Sequence, residues 1–496
     1  MKNDIPGYYA LEKPPRGIGS DFFRSVNMYA NWAFSFFLRR VIINVALAPN
    51  EVRPQEPMHV MFLTDDRTEK GSVILNLLSP EINEPGTSYY SKLPSLVTES
   101  TRLEYSLDNP EHKAYVDSVI DEIGRLMTGK SENKKCKNKH FAIEELHIKG
   151  MERLQAPLLD YFKQQVQQKY GDDFFEHPRT LGLNFFTLET ADDALLESLE
   201  LSSAEERMKP IAERKFVISC MARNQNYMYW LKDLYTTSAG IGCSVVSFNY
   251  RGIEYSRGTV FSQEELVNDA CAQAQRLIEM GANPENIAFE GMSMGGAVAT
   301  ISAARMHEKG LKVSLYNERS YRSLVRLMVG YVLPDEKSSL WNPLTLLQYA
   351  FAGLAYLFVL PGLWMLGWHL NSAGAWDKIP QAYKSFSVAR NHFDPEHPDD
   401  DDFVNDSFAS IASLMDEHRI EIQQKLANHE ALSPDEQQVL EDIPESHDFT
   451  LDREDKINDN PSPHSAPRRF MQDSKSKAHN LHDHMIEQVG HMLHVR

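Results

Sequence analysis

The sequence predicts an α/β fold: a mostly parallel sheet flanked by helices, with an apolar helical cap, preceded by an N-terminal α+β region. Three observations predict it. From about residue 180, short apolar runs alternate with amphipathic stretches, the pattern of strands covered by helices. Gly291-Met292-Ser293-Met294-Gly295-Gly296 lies between one such run and one such stretch, as a sharp strand-to-helix turn would. Residues 341–370 are very apolar, and between Leu346 and Trp368 the only clearly polar side chain is Gln348.

At 496 residues the chain is long enough for two or more domains, and its 42% apolar content suits a globular core. Seventy acidic against 51 basic residues give a net charge of -19, which argues against nucleic acid as a partner. The four cysteines form no CxxC pair, and Cys220 and Cys243 sit in strand-like runs, so buried thiols in a reducing compartment are expected. The N-terminus lacks the apolar core of a signal peptide. Residues 1–177 are read as a mostly helical region of unknown role and 178–496 as the catalytic domain. Within 1–177, residues 1–15 are extended and 19–47 are an apolar helix, either a core helix or a membrane-surface one. His59–Thr64 and Ser72–Leu78 suggest a hairpin, 110–175 is charged and helical, and Lys134–His140 is a basic loop.

In the second region, Leu181–Leu188 and Leu195–Leu201 read as an antiparallel opening hairpin. Lys215–Met221 is a short buried strand, Tyr227–Ser238 a helix, and Cys243–Asn249 another buried strand. Ser262–Met280 is an amphipathic helix opened by a capping box of Ser262 and Glu265. Strand Asn286–Glu290, the turn Gly291–Gly296, helix Ala297–His307 and strand Lys312–Tyr316 follow. A cap spans about 325–380, and Pro361-Gly362 is expected to break its apolar segment into two pieces. Tyr383–Ala389 is the next strand, followed by an acid-rich loop and a helix over about Ser407–Asn428. Residues 429–463, acidic and without periodicity, read as an insertion or disordered linker. A helix over about Lys477–Leu493 closes the chain.

The turn carries the chemistry. A serine there is held above the sheet, the glycines let flanking backbones approach, and the helix start offers N–H groups to an oxyanion. Ser293 is therefore the candidate nucleophile. The N–H of Met294 is one oxyanion donor, and the backbone of Arg223, after strand Lys215–Met221, is the candidate second. Chain order in such sites runs serine, acid, histidine. Asp402 in the loop after Tyr383–Ala389 is the first choice of acid, with Asp394, Asp401 and Glu318 as rivals. His464, in a proline-flanked loop before a helix, is the first choice of base, and His479 is the alternative. The C-terminal histidines show no convincing zinc set, so neither metal nor cofactor is expected. A single membrane crossing at 346–368 would put Ser293 and Asp402 on opposite sides of a bilayer. The segment is therefore read as a lid, an acyl pocket or a membrane-surface contact, or as buried cap helices.

Through Asn249-Tyr250-Arg251-Gly252, Gly291–Gly296 and their spacing, the stretch from Lys215 to about Ser320 resembles the α/β-hydrolase superfamily. With Asn224-Gln225-Asn226-Tyr227, Asn317-Glu318-Arg319-Ser320 and Gly367-Trp368-His369-Leu370, it also resembles the SidB-type hydrolase effectors exported by Legionella and relatives through a Dot/Icm type IV system. The resemblance implies a lipase or esterase acting on an acyl ester or thioester, cytoplasmic or translocated into a host cell. The rival readings are a non-catalytic scaffold of the same fold and a serine peptidase.

Overall fold

A computed structural model describes the chain from Leu181 to His494 with interruptions, the largest at 334–340, 390–403 and 452–463, and before Leu181 only short stretches such as Tyr8–Leu11. Of the expected N-terminal hairpin, Val60–Met61 is described, and it pairs with His147–Ile148; Ser72–Leu78 lies outside the described residues, as does most of 1–177.

The main sheet has ten strands: β1 (Tyr8–Ala10), β2 (Leu181–Glu189), β3 (Leu195–Ser203), β4 (Phe216–Cys220), β5 (Ser244–Phe248), β6 (Ile287–Met292), β7 (Ser314–Glu318), β8 (Lys384–Ala389), β9 (Asp448–Leu451) and β10 (Met471–Asp473). Their order is β1-β2-β3-β5-β4-β6-β7-β8-β9-β10. β2 and β3 form the opening antiparallel hairpin, and the six strands from β5 to β9 run parallel. The residues of β4, β5, β6 and β7 are all buried, as expected of parallel strands covered on both faces.

The helices between them are α1 (Leu231–Ile241), α2 (Gln263–Glu279) and α3 (Met294–Glu308). The step from β4 to β5 runs one way along the sheet, and the steps from β5 to β6 and β6 to β7 run the other. Right-handed crossovers therefore place α1 on one face and α2 and α3 on the opposite one. Consistent with this, α2 packs on α3, while α1 packs on the last helix of the chain. The reversal opens a crevice at the C-terminal ends of β4 and β6, where ligands of open α/β sheets bind. This strand order, with its strand–turn–helix at residue 293, is the α/β-hydrolase fold.

The cap lies between β7 and β8 and leaves from the sheet end that carries Ser293. It comprises α4 (Leu324–Gly330), α5 (Pro343–Met365) and α6 (Ser372–Trp376). Pro361 does not split α5, contrary to the sequence expectation. The proline sits one turn from the helix end, and both Pro361 and Leu357, whose carbonyl it leaves without a helical donor, are exposed. One face of α5 packs inward through Thr345, Ala352 and Leu363. The other exposes Leu346, Phe351, Leu354, Leu357 and Trp364. Beyond α5, the Trp368 indole donates to the Phe261 carbonyl at 3.0 Å and the Leu370 N–H to the Gln263 side chain at 2.5 Å, which ties the cap's exit to the start of α2. Among the described residues no helix qualifies as a membrane span.

Two further expectations are corrected. The acidic segment 429–463 contains α8 (Pro434–Glu441) and strand β9, and α7 (Ile411–Ala427) precedes them. α8 starts at a capping box of Ser433 and Glu436, a local signal strong enough to order a polar sequence. The final helix, α9 (Leu481–His494), starts later than expected because Asn480 caps it, its side chain accepting from Asp483 N–H at 2.9 Å.

Candidate active site

Ser293 joins β6 to α3 with φ 55° and ψ -121°, a backbone conformation rarely adopted by residues with a side chain. Its surroundings hold it there. Its N–H donates to the Glu318 carbonyl at 3.0 Å. Its carbonyl accepts from the Ala297 N–H at 3.2 Å and from the Ser320 hydroxyl at 2.6 Å. The elbow glycines follow from crowding. A Cβ on Gly291 would collide with the Gly295 carbonyl, and one on Gly295 with the Cys220 carbonyl. One on Gly296 would stand 2.7 Å from the Ser320 Cβ.

The structure brings His464 to Ser293: Nε2 lies 2.9 Å from the serine Oγ, across 171 residues of sequence. With the ring proton on Nδ1, the hydroxyl donates in that bond and Nε2 accepts, the arrangement a general base needs. His464 is buried. The alternative base His479 and the candidate acids Asp394, Asp401 and Asp402 lie outside the described residues. The three acids follow β8 in sequence, and β8 lies two strands from β6, roughly 10 Å across the sheet.

Glu318, the other candidate acid, is committed elsewhere. One carboxylate oxygen accepts from Arg319 at 2.5 Å and the other from Arg468 at 2.5 Å. Burial alone would raise its pKa, but the two guanidiniums outweigh that and hold the carboxyl below its usual range. Of the oxyanion candidates, Met294 is the first residue of α3, so its N–H has no carbonyl within the helix to reach. Arg223 is partly buried in the turn after β4. Met221 and Ala222, just before it, share a small cleft with Gly291 and Met292, so this loop starts beside the elbow.

Behind the elbow is a buried charge cluster that the sequence reading missed. Arg468 donates to Glu318 and also, at 2.9 Å, to Glu290 on the nucleophile strand. The available signal was Glu290 itself, an acid directly after the apolar run Ile287–Phe289 that had to find a cation if buried. The remaining described histidines do not meet the serine. His447 binds Asp442 at 2.8 Å and the Phe386 carbonyl at 2.9 Å, and His418 lies 3.4 Å from Asp377. Among the described residues, no group of three or more His, Cys, Asp and Glu side chains is arranged to hold a metal ion.

No protein-family model matches the sequence, and no curated protein matches it. Solved structures do. An esterase of Pyrococcus furiosus is similar at 16% identity over 42% of this chain and 67% of that one, with a TM-score of 0.28. An alpha-beta hydrolase of Vibrio vulnificus is similar at 14% identity over 58% and 79%, with a TM-score of 0.31. A thermostable carboxylesterase from a metagenomic library is similar at 18% identity over 34% and 57%, with a TM-score of 0.24. None of the comparisons connects the chain to the SidB-type effectors.

Proposed function

We propose that the chain is a serine hydrolase that cleaves an acyl ester or thioester. The observation that carries this reading is the 2.9 Å contact between His464 Nε2 and the hydroxyl of a serine held at positive φ. In the proposed reaction Ser293 Oγ attacks the acyl carbonyl and gives its proton to His464 Nε2. The Met294 N–H, with a backbone donor near Arg223, stabilises the oxyanion. Collapse expels the alcohol or thiol, which takes the proton from His464. Water, deprotonated by His464, then attacks the acyl carbon; the Oγ–acyl bond breaks, Ser293 Oγ takes the proton back from His464, and the acid leaves. Asp402 supplies the acid that orients His464, because its loop leaves the right end of the sheet. No step calls for a cofactor.

An acyl chain is the proposed substrate feature because the cap over this sheet end is apolar, and the exposed face of α5 is the proposed contact with a lipid surface. The test is hydrolysis of p-nitrophenyl esters of increasing acyl length beside matched peptide p-nitroanilides. Ester turnover that is lost in Ser293→Ala supports the reading. Cleavage of the anilides alone would favour a peptidase, and no turnover of either by folded protein would favour a binding scaffold.

A further inference from the structure

We infer that Arg468 is a positioning residue: through a buried cluster with Glu290, Glu318 and Arg319, it sets the place of the His464 loop relative to Ser293. The inference rests on the serine-hydrolase reading and extends it to residues outside the triad. Arg468 follows His464 by four residues, a tether of at most about 14 Å. Its Nε donates to Glu318 at 2.5 Å and its Nη2 to Glu290 at 2.9 Å. Glu290 lies three residues before Ser293 on β6. The carbonyl of Glu318 receives the N–H of Ser293 itself. One guanidinium therefore joins the histidine loop to both strands that hold the nucleophile.

The cluster is built to be rigid. Glu290 and Glu318 are fully buried, and Arg319 and Arg468 nearly so. Two anions balance two cations, and a planar fork that engages two carboxylates fixes orientation as well as position. Arg319 closes the set. It binds the second oxygen of Glu318 and reaches the Met292 sulfur at 3.1 Å, next to the nucleophile, while its N–H donates to the Ser387 carbonyl at 2.7 Å. Leaving either carboxylate buried without Arg468 is strongly unfavourable, so residue 468 has one place to be. Proton transfer tolerates little displacement: a shift of about 1 Å between reacting groups costs on the order of a hundredfold in rate.

The test compares Arg468→Met/Glu290→Met, which keeps the cluster neutral and so spares folding, with Arg468→Lys, whose ammonium cannot fork between two carboxylates. The rate of Ser293 labelling by a fluorophosphonate is measured for each, with and without His464→Ala, and melting temperature is followed in parallel. The expected result is a fall of roughly a hundredfold for the neutral pair, and a smaller fall for the lysine variant. In the His464→Ala background, the same changes should alter the residual rate by less than about threefold, since a residue that acts through His464 has nothing left to act on. An equal fall in both backgrounds, or no fall in a folded variant, overturns the positioning role. If His464→Ala alone leaves labelling unchanged, the serine-hydrolase reading fails and takes this inference with it.

Discussion

At Gly295 an added methyl would enter the space of the Cys220 carbonyl and come within 2.7 Å of the Met221 carbonyl, both of them buried backbone at the C-terminal end of β4. Gly353, on α5, has nothing within 4 Å of the same added atom. Gly295→Ala should therefore cost about 2 kcal/mol or more of stability in urea unfolding, while Gly353→Ala should be neutral or slightly stabilising. Equal effects would contradict the crowding account of the elbow. Ser293 was legible in sequence because that crowding forces glycine at fixed offsets. The motifs around it were legible as patterns but not as roles. Asn249 and Arg251 turn out to tie the turn after β5 to strand β3, helix α2 and the β2–β3 turn. Asn249 donates to Glu197 at 2.8 Å, and Arg251 binds Asp269 and Asp192. In Asn317–Ser320, Asn317 donates to the Gly296 carbonyl at 3.1 Å, and Glu318 and Ser320 bond to the backbone of Ser293. Which partner such a side chain finds depends on residues far along the chain, which spacing does not encode.

Among the elements, the buried parallel strands and helix α2 were readable because each carries its own apolar run, period or cap, whereas α8 was missed although a capping box starts it. Strand β9 was not, since four residues, Asp448–Leu451, are too few for a pattern and gain their place from pairing with β8 and β10. Helix α5 was readable as apolar, but whether Pro361 would break it depended on its distance from the helix end. The exposed face of α5 is proposed to meet lipid. Leu354→Glu with Leu357→Glu places charge on that face, where side chains are half to two-thirds exposed and substitution has little effect on folding. The pair should abolish co-sedimentation with phosphatidylcholine vesicles while leaving hydrolysis of a short, soluble ester intact. Zwitterionic lipid suits the test, because a chain of net charge -19 would be repelled by an anionic surface. Undiminished co-sedimentation would contradict the lipid contact.

For the molecule as a whole, α9 closes the fold by packing across β6, β7 and β8, and it carries a buried histidine. Burial, with a smaller contribution from His447, pushes the pKa of His484 down to about 4. An unfolded histidine titrates near 6.5, so between about pH 6.5 and 4 the unfolded chain binds the extra proton and the folded one does not. Stability is therefore full above pH 6.5 and falls as the pH drops toward 4, by on the order of 3 kcal/mol from this residue. His484→Phe should flatten the fall of melting temperature across that range, and an unchanged slope would contradict the assignment. At this scale the alternation of strands and helices was enough to read the fold, and the reversal between β5 and β6 explains why the site lies where it does. The proposed orienting acid, Asp402, has Asp394 and Asp401 as rivals in the same acid-rich stretch, and pattern alone does not choose among them. In the proposed reaction His464 activates Ser293. The most direct test of that activation is intact-mass analysis after fluorophosphonate treatment, with peptide mapping of the adduct. One adduct is expected, on Ser293, absent from Ser293→Ala and formed far more slowly by His464→Ala. A folded wild-type protein that forms no adduct, or whose labelling ignores His464, would contradict that activation.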